Sequence, residues 1–262
     1  MEDKINFCNI LGLNVAVTNM NKTLKYIEDN LNELRGKYIC ITNVHTTVMA
    51  YEDDNYKNIQ NKAALILPDG NPLSSLSRKK GFKEAKRVTG PDLMHEIFKI
   101  SEEKGYKHYF YGSTEDTLSQ LNIKLKERYP KLNIIGMYSP AFKSNVSLEN
   151  EKKIKEINAS NPDFIWIGLG APKQEIWMSL HEGKLNGVMI GVGAGFDYFA
   201  DKIKRAPMWM QKYSLEWLYR LIQEPRRLFM RYFITNSKYI YLSRIKRIWL
   251  WKLLNCLREL DV

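Results

Sequence analysis

Residues 164–197 read FIWIGLGAPKQEIWMSLHEGKLNGVMIGVGAGFD. The apolar run Phe164–Gly168 ends in Gly168-Leu169-Gly170, Pro172 opens a helical stretch to His181, and a second apolar run, Val188–Gly191, ends in Gly191-Val192-Gly193-Ala194-Gly195. This is strand, glycine turn, helix, strand, glycine turn. Two parallel strands need a crossover of a dozen or more residues, and a helix is the usual one. Outward from this unit the same alternation recurs. Further strands are predicted at Ile10–Val15, Tyr38–Thr42, Ala64–Leu67, His108–Tyr111 and Asn133–Gly136. Helices are predicted near Asn21–Leu34, Thr46–Asn61, Pro91–Lys104, Glu115–Tyr129 and Leu148–Asn158. Pro91-Asp92 and Ser113-Thr114-Glu115 supply first-turn and capping chemistry. The expected fold is α/β, a Rossmann-like, largely parallel sheet flanked by helices.

After Lys204 strand signals stop. Helical, basic and aromatic segments follow at Ser214–Gln223, Arg226–Ile234 and Lys238–Leu260, with Pro225 suited to a first helical turn. The expected division is an α/β core over 1–203 and a helical, basic C-terminal appendage over 204–262. Length agrees, because 262 residues make one large domain or one plus an appendage at about 100–200 residues per domain. Charge agrees too. The chain carries +11, yet from Asp201 onward 14 Lys/Arg face 5 Asp/Glu, a net of +9, with 11 of the 31 aromatic residues. A near-neutral body thus bears a basic, aromatic tail suited to an anionic surface: headgroups, nucleic acid or a phosphorylated ligand.

Other classes are set aside. Cys8, Cys40 and Cys256 are odd in number and widely spaced, which suggests neither a disulfide framework nor a zinc knuckle. The N-terminus MEDKINFCNILG lacks the apolar core of a signal peptide, and no run approaches the ~18 apolar residues of a spanning helix. The expected location is the cytoplasm, peripheral on the inner face of the membrane.

In an open parallel sheet, ligands bind beyond the carboxyl ends of the strands, and polar or glycine-rich turns fall at four such ends. Thr42-Asn43-Val44-His45 follows one strand and Pro68-Asp69-Gly70-Asn71-Pro72 another. Pro-Asp-Gly is ordinary turn chemistry. The alternative is that Asp69 is a general base, ionised at neutral pH with an ordinary carboxylate pKa of about 3.9. Gly170 and Lys173 belong to a loop whose N–H groups and helix start suit a phosphate, or to a plain strand–helix connection. Gly193 and Gly195 make a second such loop. Neither loop is a dinucleotide fingerprint, so no nicotinamide or other cofactor is expected. His45 lacks partners at metal spacing and reads as a hydrogen-bonding residue; no metal site is expected. Without an Asp-x-Asp, a leaving diphosphate falls to Arg, Lys and helix N-termini. Arg220, Arg227 and Arg231 form a solubilising face or a diphosphate clamp, since Arg forks bind phosphate bidentately. Farther on, Lys238, Arg244, Lys246, Arg247 and Lys252 interleave with Trp249, Trp251 and other apolar residues. That stretch reads as an interfacial helix, with a core or oligomer-interface helix as competitor.

Taken together, TNVH (42–45), LPDGNP (67–72), RVTGPDL (87–93), GLGAPKQE (168–175), GVGAGFD (191–197), KRAP (204–207), EWLYRL (216–221) and EPRRL (224–228) resemble the WecG/TagA/CpsF family of bacterial glycosyltransferases, glycosyltransferase family 26. The resemblance spans about Gly12 to Tyr241. It implies an inverting, metal-independent transferase with a Rossmann-like core and basic appendage. Such an enzyme moves a sugar from UDP to a polyprenyl-diphosphate-linked sugar at the membrane, in teichoic acid, capsule or exopolysaccharide synthesis. N-acetylmannosamine is the implied sugar. Another hexose such as glucose is the alternative, since the segments at 42–45 and 68–72 look closer to capsule and exopolysaccharide members. By motif match Asp69 is the base, Thr42, Asn43 and Gln174 line the sugar pocket with Arg87 nearby, and Arg220, Arg227 and Arg231 face the diphosphates. A homo-oligomer in which the tail closes over a neighbour's crevice is compatible with this reading. The rival class is a basic nucleic-acid-binding protein, which would not need four polar turns at strand ends; a nucleic-acid partner is therefore not expected.

Overall fold

The structure, a computed structural model, describes residues 4–141, 146–213 and 215–245. The chain opens on a hairpin, β1 (Asn6–Ile10) and β2 (Leu13–Val17). Next come α1 (Met20–Asp29), α2 (Leu31–Leu34), β3 (Tyr38–Thr42), α3 (Val44–Glu52), α4 (Asp54–Lys62), β4 (Leu65–Pro68) and α5 (Asn71–Lys79). Then α6 (Gly90–Lys104), β5 (Lys107–Gly112), α7 (Glu115–Arg128), β6 (Asn133–Tyr138), α8 (Glu151–Ala159), β7 (Phe164–Gly168), α9 (Lys173–His181), β8 (Val188–Gly191) and α10 (Gly195–Phe199) complete the α/β part. The described tail comprises α11 (Met208–Lys212), α12 (Glu216–Gln223), α13 (Pro225–Ile240) and a π turn at Tyr241–Ile245.

Strands β3–β8 form one sheet in the order β4-β3-β8-β7-β5-β6, every pairing parallel. Alternate residues feed two cores, as a pleated strand buried on both faces requires. Ile39, Ile41, Phe164, Trp166, Val188 and Ile190 join the cluster that includes Leu93, Phe98, Leu121 and Phe196. Tyr38, Cys40, Ile165, Ile167 and Met189 face the other way, toward Ile157, Trp177 and Met178. A third cluster joins the hairpin to α3, α5 and Tyr239 of α13. Because the sheet is parallel, Thr42, Pro68, Gly112, Gly168 and Gly191 end their strands along one edge.

Four expectations are corrected. Ile10–Val15 is not one strand: Leu11 (φ 51°) and Gly12 (φ 94°) make a tight turn with two left-handed residues, the geometry that suits a hairpin's twist. The helix expected over Thr46–Asn61 breaks at Asp53, which adopts extended backbone and accepts from the N–H groups of Asn55 and Tyr56, capping α4. The sequence reading did not include α5; Pro72 at its start satisfies both the turn and the helix. The helix expected to stop at Ile234 continues to Ile240, with Pro225 opening it as expected. Of the stretch Lys238–Leu260, everything from Lys246 lies outside the described residues, including Arg247, Trp249, Trp251 and Lys252; so does Cys256.

Candidate active site

Asp69 follows β4 directly. Its backbone N–H donates to the Thr42 carbonyl (2.8 Å), and Val88 N–H donates to Pro68 (2.9 Å), so β3, β4 and the 86–88 segment converge on it. Gly70 then takes φ +95°, a conformation that an L side chain rarely adopts, and α5 begins at Asn71. The turn reading and the base reading are therefore compatible, because the turn is what sets Asp69 at the sheet edge. The ordinary ionisation expected for it is corrected. Burial, with Glu216 and Asp92 adding negative potential, lifts its pKa to about 7, against Arg87 and the Asn43 amide, which pull it down. A carboxyl titrating near neutrality is matched to general-base work.

Asn43 is the N-cap of α3. Its Oδ1 accepts from Thr46 N–H (3.2 Å), while Thr46 Oγ1 accepts from Asn43 N–H (2.9 Å), a reciprocal capping box. With its oxygen so engaged, the amide's NH₂ end serves Asp69. Thr42 is placed differently from a pocket-lining residue: it is buried, and its hydroxyl donates to Gln60 Oε1. His45 is half-buried, its Nδ1 lacks a hydrogen-bond partner, and burial with the Arg231 charge lowers its pKa to about 4, so it is neutral at physiological pH.

Arg87 reaches across to the tail. Its Nη1 donates to Glu216 Oε2 (2.8 Å) and its Nη2 to Gln211 Oε1 (3.5 Å). Arg205 pairs with Glu216 (3.5 Å) and Asp92 (2.6 Å), and Thr89 Oγ1 donates to Asp92 Oδ2 (2.7 Å). A four-membered charge network thus ties α12 to the start of α6 beside Asp69.

Gln174 is buried and joins the two glycine loops. Its Oε1 accepts from Gly193 N–H (2.9 Å), and its Nε2 donates to the buried Glu175 carboxyl (2.8 Å). Gly193 adopts φ +53° there. Gly195 is a packing residue, since a Cβ on it would meet Met94 Sδ at 2.7 Å. Gly170 (φ +75°) has open space on the side a Cβ would occupy. Lys173 is the first residue of α9 and half-buried.

The three arginines come together. Arg220 donates to Tyr198 Oη (3.3 Å) and to Glu224 (3.1 Å), and Arg227 pairs with the same Glu224. The Nε atoms of Arg220 and Arg231 are buried without a partner. Burial and the neighbouring charges of Arg227 and Arg220 push Arg231 below the usual guanidinium range. Asp197 lies within reach of Arg220 and Arg227. Tyr198 and Tyr232 both sense Asp69 and Arg220. One crevice thus holds a carboxylate tuned to neutrality beside an under-neutralised arginine cluster with spare donors.

Sequence reasoning gave Asp92 only a first-turn role and assigned none to Arg205, Glu216, Asp197, Tyr198, Tyr232 or Glu175. All except Tyr198 and Tyr232 lie within the motifs quoted above; the pairing that brings Glu216 to the site spans 129 residues, from Arg87.

Residues 8–253 match the model of the glycosyl transferase WecG/TagA/CpsF family. The chain is 31% identical over 218 residues, 82% of its length and 83% of the relative's, to the N-acetylglucosaminyldiphosphoundecaprenol N-acetyl-beta-D-mannosaminyltransferase of Bacillus subtilis (strain 168). To the Staphylococcus aureus (strain MW2) protein of the same name it is 29% identical over 223 residues, 84% of this chain and 86% of the relative. The match runs from the hairpin through the whole sheet and into the tail helices that complete the crevice, and the chain belongs to the WecG/TagA/CpsF family and is a glycosyltransferase.

Proposed function

We propose that the chain transfers N-acetylmannosamine from UDP to N-acetylglucosamine carried on a polyprenyl diphosphate, with Asp69 as general base. The observation that carries this reading is that Asp69, poised near pKa 7, and the Arg220, Arg227 and Arg231 cluster all bear on one side chain, Tyr232. Asp69 takes the proton of the acceptor hydroxyl as that oxygen bonds to the anomeric carbon, and the bond to UDP breaks on the opposite face. One such displacement inverts configuration; from an α-linked donor it gives the β linkage in the relatives' name. Negative charge develops on the leaving diphosphate. Arg220 and Arg227 share one glutamate, Arg231 stands beside them, and the Nε groups of Arg220 and Arg231 are unpartnered; together they supply the counter-charge, so the reading needs no divalent ion. Gln174 holds the 191–195 loop in place at the strand end by accepting from Gly193 N–H.

The tail supports a peripheral membrane location. Toward the body, α13 turns the buried Leu228, Thr235 and Tyr239; the exposed Phe229, Met230, Phe233, Ile234 and Ile240 lie on its other side. An exposed apolar stripe flanked by basic residues suits the headgroup boundary of an anionic membrane. Among the described residues no helix is long and apolar enough to cross a membrane.

The test is a donor panel: purified protein, several UDP-sugars, a short-chain polyprenyl-diphospho-N-acetylglucosamine and excess EDTA, with UDP release measured. UDP-N-acetylmannosamine should turn over fastest and EDTA should not suppress it. Preference for UDP-glucose would overturn the donor assignment, and loss of rate with EDTA the metal-independent one.

A further inference from the structure

A second cationic recess adjoins Asp69 through Arg87, separate from the Arg220/Arg227/Arg231 cluster. It is a cavity of about 520 Å³ lined by Asn71, Arg78, Lys86, Arg87, Met208 and Trp209 among others. Three of those six are cations, and no carboxylate lines it. Arg78 is positioned by neutral acceptors, the Ala85 carbonyl (2.7 Å) and the Asn71 amide oxygen (3.2 Å), so its direction is fixed and its charge uncompensated. Among the described residues, neither Arg78 nor Lys86 pairs with a carboxylate. Arg87 shares its partner Glu216 with Arg205. The apolar wall is the first helix of the tail, where Met208 is 77% and Trp209 58% exposed.

Cations converging beside an exposed apolar wall match an amphiphile with an anionic head. The volume falls within the roughly 300–1,000 Å³ of ligand sites, enough for a diphosphate with the start of a chain but not for a long lipid. A longer chain must leave across Met208 and Trp209. We infer that this cavity receives the prenyl diphosphate of the acceptor, with the anionic head on Arg78, Lys86 and Arg87 and the first isoprene units against Met208 and Trp209. The inference rests on the transferase reading and adds a polarity to it: the acceptor enters by Arg87 and the donor diphosphate lies at Arg220 and Arg231.

Titrating the full chain calorimetrically with farnesyl diphosphate, inorganic diphosphate and UDP separates the two sites. Lys86→Glu should weaken farnesyl diphosphate at least tenfold and leave UDP affinity within twofold, which also certifies the fold. Trp209→Ala should weaken farnesyl diphosphate severalfold while inorganic diphosphate is unmoved. The inference is overturned if Lys86→Glu leaves farnesyl diphosphate affinity unchanged or weakens UDP equally. It is overturned too if Trp209→Ala weakens both diphosphates alike. A wild-type protein that bound farnesyl diphosphate with this pattern but not UDP would contradict the sugar-nucleotide reading and leave the cavity assignment standing.

Discussion

Asp69 is an expensive residue to keep ionised. Its neighbours Glu216 and Asp92 oppose its charge, and only Arg87 and the Asn43 amide favour it. Two outcomes follow at this scale. The base form prevails above about pH 7, so kcat/KM should fall as pH drops through that value; Glu216→Gln removes one opposing charge and releases Arg87, and should move the acid limb to lower pH. A pH–rate profile of the two proteins checks the shift. The raised pKa also means that the folded state holds the proton more tightly than the unfolded chain, so ionisation costs stability as pH rises from the ordinary carboxylate range to about 7. Asp69→Asn should then be more stable than the parent at pH 8, by about 1–2 kcal/mol or roughly 3–6 °C for a residue still partly open to water, with the gain fading toward pH 4. Thermal melts at the two pH values measure it. The place of this residue in a turn at a strand end was legible in Pro68-Asp69-Gly70. Its proton affinity was not, because the groups that set it come from α3, α6 and α12, and local spacing says nothing of charges that meet only after folding.

At the scale of elements, legibility followed the strength of the local signal. Strands β3 to β8 were readable as short apolar runs, most of them ended by turn chemistry. The hairpin was not, because Ile10-Leu11-Gly12-Leu13 keeps its apolar character straight through the turn and only the left-handed backbone at Leu11 and Gly12 reveals it. Helix α5 was hidden because Asn71-Pro72 looked like the end of a turn rather than the start of a helix. The division of labour on α13 was half visible: Arg227 and Arg231 read as one face, while the apolar stripe was sought farther along, in Lys238–Leu260. The described part of that stripe is on α13 itself. Replacing Phe229 and Phe233 together with Ser should therefore cut binding to anionic vesicles at least tenfold and leave UDP affinity unchanged. A buried Phe contributes about 1.5–3 kcal/mol, and 1.4 kcal/mol is a factor of ten. Vesicle co-sedimentation reads the loss; unchanged sedimentation would show that the stripe faces something other than lipid.

Across the whole molecule, the charge of +11 resolves into places. The body is near neutral, and the tail's cations divide among Arg205 in the network beside Asp69, an arginine cluster in the crevice and basic residues along an apolar face. A parallel sheet sets every strand end on one edge, and the tail helices α12 and α13 return across that edge to supply Glu216, Arg220, Arg231 and Tyr232. Core and tail contribute to one site, which in the proposed reading ties chemistry on a sugar nucleotide to a lipid surface. The most direct measurement of this account compares turnover and UDP affinity in the Asp69→Asn protein and its parent. The account predicts a loss of transfer of about 10²–10⁴-fold with UDP binding retained, as for removal of a general base that does not hold the leaving group. Transfer at the parental rate would contradict it.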